Sequence, residues 1–189
     1  MDWWHLSEQS LSSKRQKACQ LTADHQPVKF QLADGLRTRF GASTFDKNVD
    51  AIKRNLDCGL EDGDSLERLK QIDAWATEYI TAHSEKLLKK NLSKPEVENG
   101  YTPLVRTYGN CNSVKTKINK KDPRAATYSD DKGQHIHDCP AEGTWQDFAY
   151  AVQVSLPQLW IMQGNFGLLL EATALCLCPP AAVNPFAKS

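Results

Sequence analysis

The sequence lacks any run of about 18 apolar residues, so no membrane-crossing helix is expected. It also lacks a charge bias, with 23 Lys and Arg against 23 Asp and Glu and a formal net charge of +0. That balance excludes a chain that coats nucleic acid through bulk charge alone. The apolar fraction is 40 % and the mean hydropathy is -0.54. This suffices for one core and is low for a compact enzyme. Walker, GxGxxG and HExxH motifs are missing, and so is GxSxG, so no enzyme is expected. The opening MDWWHLSEQS has no apolar stretch behind a basic flank. No signal peptide is therefore expected, and the chain is read as intracellular.

Six cysteines are present, at positions 19, 58, 111, 139, 176 and 178. No CxxC and no secretory signal accompany them, so all six are expected to be reduced. Cys176 and Cys178 alternate with one residue on an expected strand, so their side chains share a face, read as packing. His135, His137 and Cys139 alternate in the same way. A structural zinc site needs four ligands, and no second cluster lies at a usual spacing. Neither a metal nor another cofactor is expected.

Charge is uneven along the chain. Residues 61–100 hold nine acids and six bases, a net of -3, whereas residues 101–135 hold seven bases and three acids, a net of +4. A binding face need only be locally basic.

Residues 1–27 are polar and are expected to form a flexible N-terminal segment. Val28–Leu32 and Leu36–Phe40 read as strands joined by an Asp34-Gly35 hairpin, with a further strand near Ala51–Leu60. Asp57, Glu61 and Asp62 read as a solvated turn into the next element. A helix is expected from about Ser65 to Lys90, capped by Asp64 with Glu67 three positions on. Its apolar stripe is Leu66, Leu69, Ile72, Ala76, Tyr79, Ile80, His83 and Leu87, and Pro95 and Gly100 end it.

Beyond Gly100 the period becomes two. Val114, Thr116 and Ile118 point one way, Lys115 and Lys117 the other. Thr127–Ser129 and Gln134–His137 flank an Asp-Asp-Lys-Gly turn. Phe148–Ser155 alternates, and a turn at Gln163-Gly164-Asn165 joins Leu159–Met162 to Phe166–Cys178. A bulge is expected near Glu171–Thr173. Residues 179–189 form a loose Pro-rich tail. The fold class is thus α+β: an OB-like, five-stranded, partly open antiparallel β-barrel with one long inserted helix, spanning residues 28–178.

The order of these elements resembles the single-stranded DNA-binding proteins of the T7-phage type, which have relatives in large DNA viruses of eukaryotes. The stretches that carry the resemblance are SLERLKQIDAWATEYITAHSEKLLKK, YTPLVRTYGN, SVKTKINKK, TYSDDKGQ, WQDFAYAVQVSLPQLWIM and NFGLLLEATALCL. It implies an OB fold that binds single-stranded DNA, with replication proteins as further partners. It also implies a location at the site of DNA replication or in a nucleus. The family's acidic C-terminal tail has no counterpart here, since no acid follows Glu171. Recruitment of partners by that route is not expected.

Single-strand binders combine a basic groove with aromatic platforms. The candidate residues are Lys115, Lys117, Lys120, Lys121, Arg124, Arg106, Tyr101, Tyr108, Trp160 and Phe166. Same-face neighbours on a strand stand about 6.5–7 Å apart, close to the spacing of extended nucleotides. The bland alternatives are a solvated strand edge for the lysines and core packing for Trp160 and Phe166. Trp145 is open to either role, and Trp75 reads as helix-to-barrel packing. Sequence-tolerant binding of single-stranded DNA, with RNA as the other candidate ligand, is therefore set against a protein-interaction domain on the same scaffold.

Overall fold

The computed structural model describes residues 4–11, 17–24, 26–32, 35–43, 53–60, 63–120, 125–137, 140 and 144–179. The fold is sheet-dominated, with its α-helices grouped between residues 64 and 100.

The longest strands are β11 (Ala149–Met162) and β12 (Asn165–Cys178), numbered in chain order. They pair antiparallel from Met162↔Asn165 to Ala149↔Cys178. Gln163 and Gly164 make the turn, both at positive φ (50° and 87°), the twist a two-residue hairpin needs. Gln153 pairs with Ala174 but Val154 with Ala172, which leaves Thr173 as an extra residue. The bulge switches the inward set of β12 from Leu168, Leu170 and Ala172 to Leu175 and Leu177, all buried. Without it, one half of the strand would turn its leucines to water.

β8 (Cys111–Asn119) lies antiparallel to β6 (Lys53–Leu60) but parallel to β12, so the expected antiparallel pairing does not hold throughout. Val114, Thr116 and Ile118 face inward, as expected, opposite Cys58, Leu56 and Arg54. β5 (Arg37–Ser43) pairs with β6. Leu36, just before β5, exchanges backbone hydrogen bonds with Tyr150 at 2.8 and 3.0 Å. The pairing path β5–β6–β8–β12–β11 therefore returns to the chain next to β5.

The two strands expected to form a hairpin around Asp34-Gly35 do not pair with each other; Asp34 itself lies outside the described residues. β4 (Gln26–Gln31) and the Leu36 end of β5 both run antiparallel to β11, through Gln31↔Gln153 and Leu36↔Tyr150. Leu32 and Leu36 are both buried, and burying both holds the chain along one partner. A pairing of hairpin kind lies earlier, between β3 (Lys17–Ala23) and β4, with Asp24 at φ 47°.

The N-terminal segment is correspondingly not unstructured where it is described. β1 (Trp4–Leu6) and β2 (Ser10–Leu11) pair with β3, and β3 pairs with β11. Cys19 and Leu21 anchor β3 in the core at 0 % and 1 % exposure. Residues 180–189, expected as a loose tail, lie outside the described residues.

The expected long helix is broken. α1 spans Asp64–Ala82 and α2 Ser84–Leu88, with His83 between them. Leu66, Leu69, Ile72, Ala76, Ile80 and Leu87 are buried along the anticipated stripe, while His83 is exposed. Gly63, not Asp64, caps α1, and no side-chain cap bond forms. A capping box does occur at Ser93 and Glu96, where the Ser93 N–H and hydroxyl donate to Glu96 at 2.8 and 2.6 Å. It opens α3 (Lys94–Gly100). Pro95 thus starts a helix, where its missing N–H costs nothing.

Asp73 of α1 pins the helices to the sheet. It accepts hydrogen bonds from the Tyr101 hydroxyl at 2.7 Å and from the Leu104 and Val105 N–H groups at 3.0 and 3.4 Å. Burial raises its carboxyl above the ordinary carboxylate range, and these bonds pull it back in part. Trp75 packs edge-on to Trp4 at 5.4 Å and against Tyr79 at 5.2 Å. Trp145 is core, 1 % exposed, with its carbonyl accepting the Tyr150 hydroxyl.

Candidate nucleic-acid interface

Residues paired across strands stand on the same sheet face. The outer face can therefore be read row by row from the register. β7 (Val105–Tyr108) borders β8 on one side and β6 borders it on the other. One row runs Arg106, Ser113, Gly59, Arg37 across β7, β8, β6 and β5. The next row on β8 and β6 is Lys115 with Asp57, then Lys117 with Asn55, and Asn119 with Lys53. At the other end of β7, Tyr108 stands beside Cys111.

This face carries Arg37, Lys53, Arg106, Lys115 and Lys117 against Asp57, with Glu171 flanking Lys117 from β12. Arg37, Lys53 and Lys115 are exposed, and Arg106 and Lys117 half-buried. Asp57 sits mid-strand opposite Lys115, not in a turn as expected. No ion pair within 4.0 Å links the two among the described residues.

Gly59 lies in the row between Arg37 on one side and Ser113 and Arg106 on the other, one row from Lys115. A Cβ built there would meet nothing nearer than the Arg37 carbonyl at 3.8 Å. The backbone does not require glycine at this point, so the effect of Gly59 is a bare strip of sheet between two arginines. A glycine inside a strand marks a bulge, a tight bend, or a site where another backbone or a ligand approaches closely. Beside it, the Ser113 hydroxyl is buried with no hydrogen-bond partner among the described residues.

The sequence-predicted residues separate into three groups. Lys115, Lys117, Arg106 and Tyr108 come together on this face, with Tyr108 65 % exposed at the tip of the β7–β8 hairpin. Lys120 follows directly on β8, while Lys121 and Arg124 lie outside the described residues. Trp160 is half-buried, and its ring lies across Gly167, where a Cβ would come within 3.0 Å of the indole. By strand alternation Gly167 shares a face with Leu169 and Glu171, the face that bears Lys117.

Tyr101 and Phe166 need correction as stacking candidates. Phe166 is 3 % exposed and Tyr101 8 %, with ring centroids 6.3 Å apart in the core. The Tyr101 hydroxyl is spent on Asp73, and burial together with that carboxylate pushes the phenol well above its ordinary pKa. Arg37, Lys53, Asn55 and Gly59 escape a reading of the sequence, because only the register of β5, β6 and β8 brings them beside the lysines.

No protein-family profile matches the chain, and no curated protein sequence matches it. Among solved structures it is similar to gp2.5, a single-stranded DNA-binding protein encoded by bacteriophage T7. The TM-score is 0.55 at 16 % identity, over 83 % of this chain and 89 % of that one. Also similar is the single-stranded DNA-binding protein of bacteriophage Enc34 in complex with ssDNA. There the TM-score is 0.48 at 6 % identity, over 94 % of this chain and 93 % of that one. The likeness expected from the order of elements is therefore met at the level of fold.

Proposed function

We propose that the chain binds single-stranded DNA, with little regard to sequence, across the outer face of β5, β6, β8 and β7. The observation that carries this reading is the row Arg106–Ser113–Gly59–Arg37 with Lys115 and Lys117 beside it. Cations around a bare strip of backbone suit a phosphate chain, and half-exposed rings at its margins suit bases. In this reading β5, β6, β8, β12 and β11 make a five-stranded, partly open barrel of the OB kind. The return of the pairing path from β11 to Leu36 supports it. OB barrels bind oligonucleotides on the face of their second and third strands, here β6 and β8. The protein then acts as a binder without a catalytic step, inside the cell and at sites of DNA replication, recombination or repair. Replication proteins are its further partners. Lys120, Lys121, Arg124 and Trp160 extend the binding face.

Fluorescence-anisotropy titration with labelled single-stranded oligonucleotides at several salt concentrations tests the reading. Lys115→Ala with Lys117→Ala should weaken binding and flatten the plot of log K against log salt. For single strands, every phosphate left without its cation lowers that slope by about 0.7. Trp160→Ala should weaken binding with little change in slope, since stacking releases few counterions. A folded lysine variant with unchanged affinity and slope would reduce β8 to a solvated edge.

One observation favours a second reading, a protein-interaction domain. Asp57 and Glu171 stand next to Lys115 and Lys117 and partly cancel their charge. Absence of oligonucleotide binding by the wild type at low salt would transfer the assignment to that reading.

A further inference from the structure

Arg106, Ser113, Gly59 and Arg37 stand in one row across β7, β8, β6 and β5, and the row is unengaged from end to end. Neither guanidinium has an ion pair or a side-chain hydrogen bond among the described residues. The Ser113 hydroxyl is buried and has no partner there either. Gly59 has no side chain to offer. Buried polar groups nearly always find a partner. An unused hydroxyl beside two unused guanidiniums therefore marks a place for an acceptor from outside the chain.

The spacing of the row decides how many anions it can hold. Adjacent strands lie about 4.8 Å apart, so Arg106 and Arg37 are separated by three spacings, roughly 14 Å. An anion above the step from Ser113 to Gly59 is then about 7 Å along the sheet from either arginine. Three methylenes and a guanidinium cover that distance. Arg37 is exposed and Arg106 half-buried, so both can swing inward along the row, a motion of picoseconds to nanoseconds for surface side chains. Asp57, two residues along β6 on the same face, stands opposite Lys115. The row itself holds two positive charges and no negative one. Any side chain larger than that of glycine at position 59 would stand where the anion has to sit.

The geometry points to a phosphate clamp: Arg37 and Arg106 close from opposite sides on one phosphodiester of the strand, over Gly59, and the Ser113 hydroxyl donates to the same group. Arginine suits this task because its planar fork presents paired N–H donors to phosphate oxygens. The clamp rests on the proposed binding of single-stranded DNA and goes beyond it, in assigning two cations to one phosphate instead of one cation to each. A phosphate held in this way fixes the path of the strand across β6 and makes no contact with a base edge. It positions the strand without reading its sequence.

Counterion release separates a shared phosphate from two separate ones. The probe is a labelled oligothymidylate, titrated with the full chain at several salt concentrations and followed by anisotropy. For single strands, each phosphate that loses its cation lowers the slope of log K against log salt by about 0.7. On a shared phosphate, the remaining arginine still displaces the counterion. Arg37→Ala and Arg106→Ala should then each weaken binding with the slope nearly unchanged, and the double variant should lose about 0.7 of slope. Two separate phosphates would give about 0.7 for each variant and about 1.4 for the pair. That additive result would overturn the clamp, and so would a double variant that binds as the wild type does. Arg37→Lys and Arg106→Lys keep the charge on an exposed strand face and guard against a misfolded alanine variant. Both should hold the slope and lower the affinity, since an ammonium lacks the paired donors, and wild-type affinity in both would count against the clamp. Ser113→Ala should weaken binding without moving the slope, and unchanged affinity there would remove the hydroxyl from the site. The wider reading survives failure of the clamp as long as the wild type binds and the Lys115→Ala, Lys117→Ala variant flattens the salt plot. A wild type that binds no oligonucleotide removes both.

Discussion

At the scale of single residues, burial decides which chemistry a side chain can perform. Asp73 gives its carboxylate to three donors and is held above its ordinary pKa by burial. A raised carboxyl binds its proton more tightly in the folded state than in the unfolded chain. Its contribution to stability is therefore fullest below the ordinary aspartate value of 3.8 and is lost as pH rises through the folded value. Urea unfolding of wild type and Asp73→Asn across acid to neutral pH should show the wild type gaining relative stability on acidification. Asp73→Ala leaves buried donors unpaired and should cost about 1–3 kcal/mol. Cysteines obey the same rule. Burial pushes the Cys19 thiol up to about 11 and the Cys58 thiol up to about 12, whereas Cys111 is exposed. Native-state alkylation followed by mass spectrometry should label Cys111 first and leave Cys19 and Cys58 until the protein unfolds. Burial also explains why sequence misplaces Tyr101 and Phe166. An aromatic residue on a strand gives the same local signal whether it faces core or ligand.

At the scale of elements, what is legible in sequence depends on how local the cause is. The alternation of β8, the hairpin of β9 (Thr127–Asp130) and β10 (His135–Ile136), the Gln163–Gly164 turn and the bulge near Thr173 all arise within a few residues, and all can be read there. β3 and the shared course of β4 and β5 cannot, because they depend on a common partner, β11, more than a hundred positions away. The helix break at His83 also escapes, since the apolar spacing continues across it to Leu87. Thr173 offers a sharp test of the register. Deleting it would leave Leu168, Leu170, Ala172, Leu175 and Leu177 in one unbroken alternation, all facing the core, with Gln153↔Ala174 and Val154↔Ala172 still paired, so that variant should unfold cooperatively. Deleting Thr173 and Ala174 together would instead turn either Leu175 and Leu177 or Leu168 and Leu170 outward. Each exposed leucine forfeits roughly 1.5–3 kcal/mol of burial, so the double deletion should fail to fold cooperatively. Thermal unfolding followed by circular dichroism reads both variants, and a wild-type transition in the double deletion would show the register to be wrong. Ser93→Ala, by contrast, removes one cap from a short exposed helix and should cost about 0.5–2 kcal/mol.

At the scale of the whole molecule, the balance of 23 bases and 23 acids leaves no long-range attraction for nucleic acid. On the proposed reading, binding rests on one locally basic face, and it should fade quickly as salt rises. That face is half legible. The lysines of β8 can be read from alternation, but Arg37 and Gly59 join them only through pairings across β5, β6 and β8. Gly59 gives the test that leaves every cation in place. Its backbone lies outside the positive-φ region, and a Cβ there meets only a carbonyl at 3.8 Å. A glycine inside a strand is itself mildly destabilising, so a side chain at this position should leave stability unchanged or slightly higher. Gly59→Glu would set a carboxylate between Arg37 and Arg106 and fill the bare strip. Oligonucleotide affinity should fall at least as far as in the Lys115→Ala, Lys117→Ala variant, with the unfolding midpoint held. Gly59→Ser, which fills the strip without charge, should bind with an affinity between those of Gly59→Glu and the wild type. Should Gly59→Glu fold normally and bind as the wild type does, the strand face of β6 and β8 would not be where the DNA lies.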